Sequence, residues 1–409
     1  MAQRQKRILI AGGGIGGLTT AVALGRRGIR TVVLERSSFS EETGAGIQLG
    51  PNATRILKEL DVLDAVRPAP FRPEAMWLFD GRSGQQLQSL PLGKQAERYY
   101  GAPYLTIHRA DLHAGLRAAA ERLKSVDLKA GFDVTWAYTQ GDTVIARSTA
   151  GKKVKGSCVI GADGLWSTMR NLLSPRDRLR FAGATAWRAL LDCKDLPSPF
   201  DAPVIGLWFG PGAHVVHYPV RGGRSLNLVA ITEGGAEGQG WNQPAETAAL
   251  LERLKPFAGE LRSLLKRAKA WQRWSLYRLP PLETFSAGRV VLIGDAAHPV
   301  LPYLAQGAAL AIEDAVSLAQ SLEASPDDLA TALQLYEKPR RARIARVQDL
   351  SRRYGWIYHV RGPARLARNF VLGRRHEVLR DFDWLYGRST AGESAARPTQ
   401  RPKPERANS

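Results

Sequence analysis

Three groups of residues in this 409-residue chain have the types and spacing to do chemistry. The first is Gly12-Gly-Gly14-Ile15-Gly-Gly17, which follows the apolar run Ile8–Ala11 and has the G-x-G-x-x-G spacing of a phosphate-binding turn. In that pattern Gly12 permits a tight turn, Gly14 lets backbone approach a pyrophosphate, and Gly17 lets the helix beginning at Ile15 pack closely on its strand. The phosphates then sit at the positive end of that helix. Glu35, 18 residues after Gly17 and at the end of a second apolar run, is the expected acceptor for ribose hydroxyls, with Arg36 beside it. Alone, the glycine pattern also suits a Gly-rich turn in another α/β fold. Strand, helix and acid in register favour a dinucleotide.

The second group is Gly294-Asp295-Ala-Ala-His298-Pro, which ends the run Val290–Ile293 and leads past Gln306-Gly307 into a helix of small residues. Paired with the amino-terminal turn, it supplies the far end of a site for a dinucleotide whose flavin ring lies away from its phosphates. The alternative for this segment is a small-residue helix packed on the sheet. The third group is His214-Val-Val-His217-Tyr218-Pro. A strand's two-residue period places His214 and Tyr218 on one face and His217 on the other. His214 and Tyr218 are therefore a candidate acid/base pair, the alternative being a structural Tyr and a surface His. The two His residues make a poor metal pair, with opposed directions and no third ligand, so no metal is expected.

These groups need an α/β scaffold, and the chain reads as one. Residues 7–35 read strand, Gly-rich turn, helix, strand. Helical spacing returns at Asp111–Leu123, a short strand is expected over Val154–Ile160, and strand-type alternation over Val204–Phe209, His214–Val220, Leu226–Ile231 and Trp274–Leu279. A helix is expected near Ala245–Lys266. The expected organisation is a discontinuous nucleotide-binding domain (1–70, 101–175 and 281–340) and a β-rich substrate domain (71–100 and 176–280). A helical segment follows (341–390), then a tail without apolar period (391–409), expected to be disordered.

Composition narrows the function classes. With 44% hydrophobic residues, 40 Gly and 24 Pro, the chain suits an α/β enzyme rich in turns. Cys158 and Cys193 are its two cysteines, without a CxxC spacing, so inert thiols in a reducing cytoplasm are expected. The uncharged stretch Ile8–Gly25 mimics a leader, but its glycines and its direct passage into a second strand argue against one, and no other run could span a bilayer. The formal charge is +20, with much of the excess late: Lys338-Pro-Arg-Arg-Ala-Arg, Arg352-Arg353, Arg361, Arg365, Arg368, Arg374 and Arg375. No nucleic-acid-binding signature accompanies it. A solvated helix face that favours small anions is the expected role.

Three further stretches, with the Gly294–Pro299 turn, carry a resemblance. Gly44-Ala-Gly46-Ile-Gln48-Leu-Gly-Pro-Asn52, His108-Arg109-Ala-Asp-Leu112, Gly161-Ala-Asp163-Gly164-Leu-Trp-Ser167 and Gly294-Asp295-Ala-Ala-His298-Pro resemble, in order, the single-component FAD-dependent aromatic hydroxylases, notably salicylate hydroxylases, 3-hydroxybenzoate 6-hydroxylases and 6-hydroxynicotinate 3-monooxygenases. The resemblance runs from Arg7 to about Tyr358. It implies a Rossmann-like FAD domain of the glutathione-reductase type with an inserted β-sheet substrate domain and carboxy-terminal helices. Arg109 would pair with an FAD phosphate. Asp163 and Gly164 would lie by the pyrophosphate and where NADH or NADPH approaches, the alternative being a plain capped turn. Asp295 would accept from a ribitol or ribose hydroxyl, Pro302 would face the flavin, and Gly307-Ala308 would bind its pyrimidine edge, with Gly46 nearby. Reduced FAD would capture O2 as a C4a-hydroperoxide and hydroxylate a small phenolic or pyridinic acid.

Tyr218, His214 and Gln48 are the catalytic candidates, although those relatives carry a His where this chain has Gln48. Ala308-Ala309-Leu310 also departs toward smaller, apolar side chains. Arg188 is a candidate for a substrate carboxylate, and His298 is read as structural. Two rivals remain: a same-fold oxygenase acting on a larger metabolite, and a basic FAD protein that binds nucleic acid or anionic membrane. The chain is expected as a monomer or homodimer.

Overall fold

In the computed structural model, residues 7–39, 45–235, 237–238, 240, 243–374 and 379–387 are described. Gly44, Arg375 and the expected tail 391–409 lie outside them. The amino-terminal strands have little room for polar side chains. Ile8–Ala11 and Thr31–Leu34 are buried throughout, because each is covered on both faces, as parallel strands with helical crossovers must be. They form the middle of a six-stranded sheet in the order 286–287, 290–292, 158–161, 8–11, 31–34, 126–129. All its pairings are parallel except that of the short strand Ser286–Ala287.

On this sheet the helices Ile15–Gly25 and Gly307–Ala324 pack against each other. Gly16 and Ala311 set the approach: a Cβ on Gly16 would stand 3.3 Å from that of Ala311. The small residues after Gln306 therefore serve this close packing as well as any ligand.

The second large sheet has eight strands in the order 243–245, 271–278, 180–192, 225–233, 213–220, 204–210, 75–80, 86–91. One face is sealed by the helices Thr247–Arg253 and Gly259–Lys266 over a core that includes Trp187, Trp208, Leu250 and Leu261. His217 points into this side, 5.1 Å ring to ring from Phe200. The other face carries His214 and Tyr218, as the two-residue period requires.

Three expectations need correction. Val154–Ile160 is two strands, Lys153–Gly156 and Cys158–Gly161, in different sheets. Gly156 marks the break, where a Cβ would stand 2.6 Å from Leu9 Cγ. The helix near 245–266 is likewise two helices, with Pro256 between them. The late basic run is not simply a solvated face. Arg340 and Arg343 bond Glu313, Arg340 also bonds Asp314, and Arg365 bonds Asp80, because the long helix Leu329–His359 and the helix after it lie on acids of earlier elements.

Cys158 is buried in its strand and its thiol is pushed up to about 12 by that burial, the state of an inert thiol. Among the described residues no helix is long and apolar enough to cross a membrane, and no cluster of His, Cys, Asp or Glu could hold a metal.

Candidate active site

Two of the three fingerprint glycines are fixed by protein packing, and one is not. Gly12 has φ of 106°, and a Cβ there would overlap the carbonyl of Ala162; a Cβ on Gly17 would overlap the carbonyl oxygen of Gly12. Gly14, the residue capping the helix that starts at buried Ile15, meets no protein atom within 4 Å of where its Cβ would be. That open space at a helix's positive end is what a pyrophosphate requires. Glu35 braces the turn, its two carboxylate oxygens accepting from Gly13 N (2.6 Å) and Ser37 N (2.8 Å). Each oxygen keeps a lone pair for a ribose hydroxyl. Arg36 is exposed beside it. His113, which sequence reasoning did not single out, supports the turn from below at 2.8 Å from Gly13 O.

Arg109 and Asp295 converge. Arg109 begins the helix Arg109–Glu121, and its N–H donates to Ala45 O at 2.8 Å. Burial pushes the Asp295 carboxyl up, while the charges of His298, Arg109 and Arg170 pull it back. Asp163 spends its carboxylate on its own turn, accepting from Ser167 Oγ (2.6 Å) and Met169 N (2.9 Å). Gly164 beside it has φ of 75°. These bonds are those of a capped turn, and as with Glu35 each oxygen keeps a lone pair. Arg170 is the residue that binds the two turns together. Buried, it donates to Leu165 O (2.6 Å), Ala296 O (3.1 Å) and Asp295 O (3.3 Å).

The ring end rests on a buried ionic network. Asp314 accepts from Gly294 N (2.9 Å) and Arg340 Nε (2.7 Å) and bonds His298 at 2.5 Å. Glu313 accepts from Arg340, Arg343 and Asn52 at 2.6 Å each, and Asn52 also reaches Gln306 at 3.1 Å. His298 is thus structural in this fold. Pro302 is exposed at the start of a single 3₁₀ turn, Pro302–Leu304, after which Ala305 takes left-handed φ of 53°. Gly307 and Ala308 then open the helix, half-buried.

Strand register arranges the candidate substrate face. Directly opposed residues of an antiparallel sheet share a face. Three rows therefore lie side by side: Tyr218–Asn227–Leu190, Val216–Val229–Arg188 and His214–Ile231–Ala186. Gly46 closes on the first row, its N–H donating to Asn227 Oδ1 at 2.7 Å, and a Cβ there would stand 2.7 Å from Tyr218 Cε2. Gln48, two residues on, hydrogen-bonds Tyr218, and its Oε1 accepts from Tyr104 at 2.9 Å. His214 is not part of that cluster. Four residues of strand separate it from Tyr218, about 13 Å, and it bonds His359. The expected joint pair is therefore two stations on one face. Arg188 is buried on that face, donating to Gln272 Oε1 from Nε (3.2 Å) and Nη2 (3.1 Å).

The FAD binding domain family matches residues 5–351. The chain belongs to that family. It is 38% identical over 386 residues to 3-hydroxybenzoate 6-hydroxylase 1 of Aquipseudomonas alcaligenes, covering 94% of this chain and 98% of that protein. It is 33% identical over 365 residues to 6-hydroxynicotinate 3-monooxygenase of Bordetella bronchiseptica, covering 87% and 93%. Among solved structures, Klebsiella pneumoniae HpxO with FAD and uric acid superposes with a TM-score of 0.82 at 26% identity, over 94% of this chain and 98% of that one.

Membership makes this chain an FAD-dependent aromatic monooxygenase, and its own geometry fits the cofactor. The open space at Gly14, the Glu35 brace of the same turn and the charge of Arg109 acting on Asp295 are the features that would hold it. Sequence reasoning missed Arg170, Asp314, Arg340, Tyr104 and Tyr386. The last, from the short helix Asp383–Tyr386, lies edge-on to Tyr104 at 6.1 Å and blocks any side chain at Gly50. No local pattern announces these residues. Only the Arg at the seventh position after Asp163, on the helix that Ser167 caps, offered a signal.

Proposed function

We propose that the protein hydroxylates a small phenolic or pyridinic aromatic acid, drawing electrons from NADH or NADPH and oxygen from O2. We place it in the cytoplasm as a monomer or homodimer. The observation that carries this reading is the meeting of Tyr218, Gln48 and Tyr104 on a buried sheet face, beside the Gly46 strand that runs back to Arg109. FAD, when bound, supplies the redox chemistry and the activated oxygen.

The chain's own residues do the rest. Burial pushes the Tyr218 hydroxyl up, with Gln48 opposing in part, so it stays protonated and can donate to a substrate oxygen. His214 is held neutral by burial and by the neighbouring His359, so one ring nitrogen stays unprotonated. Arg188, on the same face, is the group for a carboxylate. The surrounding apolar wall (Leu190, Ile205, Val216, Val220) excludes water from the reacting ring.

The test is anaerobic reduction of the bound flavin by NADH and NADPH across a panel of aromatic acids, including 3-hydroxybenzoate and 6-hydroxynicotinate. A substrate should accelerate reduction and give a hydroxylated product in air; peroxide alone with every acid would refute the reading. Tyr218→Phe should retain its FAD and form product about tenfold more slowly, the loss expected for one hydrogen bond worth ~1.5 kcal/mol. Turnover equal to the parent protein would remove Tyr218 from the catalytic set.

A further inference from the structure

His214 does not end at a surface as a strand-end histidine would. Its Nδ1 lies 2.8 Å from Nε2 of His359, the last residue of the helix Leu329–His359. His359 Nδ1 in turn lies 3.3 Å from Oε1 of Glu233, at the end of the strand Ser225–Glu233, and Glu233 Oε2 accepts from Arg361 at 2.7 Å. Both imidazoles are buried, whereas the Glu233 side chain is 49% exposed. Two neighbouring strands and a helix end more than a hundred residues later thus make one line from a buried sheet face to the surface.

The line has a direction. Two imidazoles can bond only when one donates and the other accepts, and an ionised carboxylate only accepts. Glu233 therefore takes the His359 Nδ1 proton, which leaves His359 Nε2 as the acceptor for His214 Nδ1–H. His214 Nε2 is then a bare lone pair. Burial, then the charge of His359, pushes His214 far below the usual histidine range. Burial lowers His359 to about 4, with Arg361 and Arg368 adding repulsion and Glu233 opposing. The remaining polar neighbours are Tyr303, from the Pro302–Leu304 turn, and Tyr358, from the His359 helix. Burial holds both phenols protonated, so no other group packed on the pair changes charge near neutrality.

We infer that Glu233 and His359 form a proton wire that fixes the tautomer of His214 and carries a proton taken from a substrate hydroxyl out to solvent. It rests on the reading of His214 as the proton acceptor. The O–H bond of the substrate breaks as His214 Nε2 gains its proton. His214 passes its Nδ1 proton to His359 Nε2, and His359 passes its Nδ1 proton to Glu233 Oε1. Each ring ends neutral with its tautomer reversed, the substrate is left as the oxyanion, and Glu233 releases one proton to water. Two adjacent imidazolium ions never form. His359 and Glu233 are positioning residues here, since neither touches the substrate.

The experiment mixes oxidised, FAD-loaded protein with 3-hydroxybenzoate in weak buffer containing a pH indicator, and follows proton release by stopped flow. The parent protein should release up to one proton per bound acid. His359→Gln keeps an acceptor for His214 but cannot pass a proton, and Glu233→Gln removes the terminal base. In both, proton release should slow at least tenfold at pH 7. The kcat should fall in parallel and recover above about pH 9, where hydroxide in the pocket replaces the wire, with little change in KM. Glu233→Gln, at a half-exposed position, keeps the test open should His359→Gln fold poorly. Release and pH profiles like those of the parent in both variants, with His214→Asn impaired, would overturn the wire and leave His214 as acceptor. No effect in any of the three would overturn both.

Discussion

Replacing Asp314 with asparagine should strip the protein of FAD and lower its melting temperature by several degrees. Asp314 is fully buried and holds three things at once: the backbone of Gly294, the ring of His298 and the guanidinium of Arg340. Removing one partner of a buried ionic set costs about 3–5 kcal/mol, because Arg340 would be left beside Glu313 with one charge uncompensated. The Gly294-Asp295 turn would then lose the acceptor that fixes its first N–H, and with it the placement of Asp295. Flavin content after purification, and circular-dichroism melts with and without added FAD, measure the two effects separately.

The pH dependence has a definite sign. Burial alone would raise the Asp314 carboxyl, but His298 and Arg340 more than offset it and hold it at about 2, below its unperturbed 3.8. A carboxyl lowered by folding stabilises the fold above its unfolded value and loses that contribution as pH falls. The parent protein should therefore lose stability between roughly pH 4 and 2 more steeply than Asp314→Asn, which has no proton to gain there. Equal acid profiles, or an asparagine variant that keeps its FAD and its melting temperature, would show that the network does not carry this load.

Gly14→Ala and Gly17→Ala should fail in different ways, though both remove a glycine of one motif. At Gly17 the added methyl would overlap the Gly12 carbonyl, so the helix must move off its strand and the chain should fail to fold or melt far below the parent. At Gly14 the methyl meets no protein atom within 4 Å, and φ is an ordinary −74°. The apoprotein should then melt like the parent apoprotein, while FAD affinity falls by about 100-fold, or ~2.7 kcal/mol, as the methyl occupies the pyrophosphate's place. Flavin fluorescence quenching on reconstitution gives the affinity. Binding of FAD by Gly14→Ala as tight as by the parent would move the phosphates away from this helix.

What could be read from the chain was local. The turn at Gly12–Gly17 is visible because a strand, three spaced glycines and a helix follow one another within twenty residues, although the carbonyl that excludes a side chain at Gly12 comes from distant Ala162. The face shared by His214 and Tyr218 is equally visible, since the side-chain period of a strand needs no partner to define it. Where the periodic signal was interrupted from outside, reading failed. Val154–Ile160 looks continuous, yet Leu9, from a strand far back in the chain, crowds Gly156 and splits the run between two sheets.

The amino-acid order by itself determined the nucleotide turn, the parity of the substrate strand and the family to which the motifs belong, because each depends on residues a few positions apart. Only the closed fold decided that Asp163 bonds Ser167 and Met169, that Arg340 turns inward to Glu313 and Asp314 and Arg343 to Glu313, and that His214 meets His359 and not Gln48. Those partners lie 26 to 145 positions apart, except for the local bonds of Asp163. A buried charge or imidazole takes whichever partner the packing of separate elements delivers, and no periodicity along the chain encodes that choice.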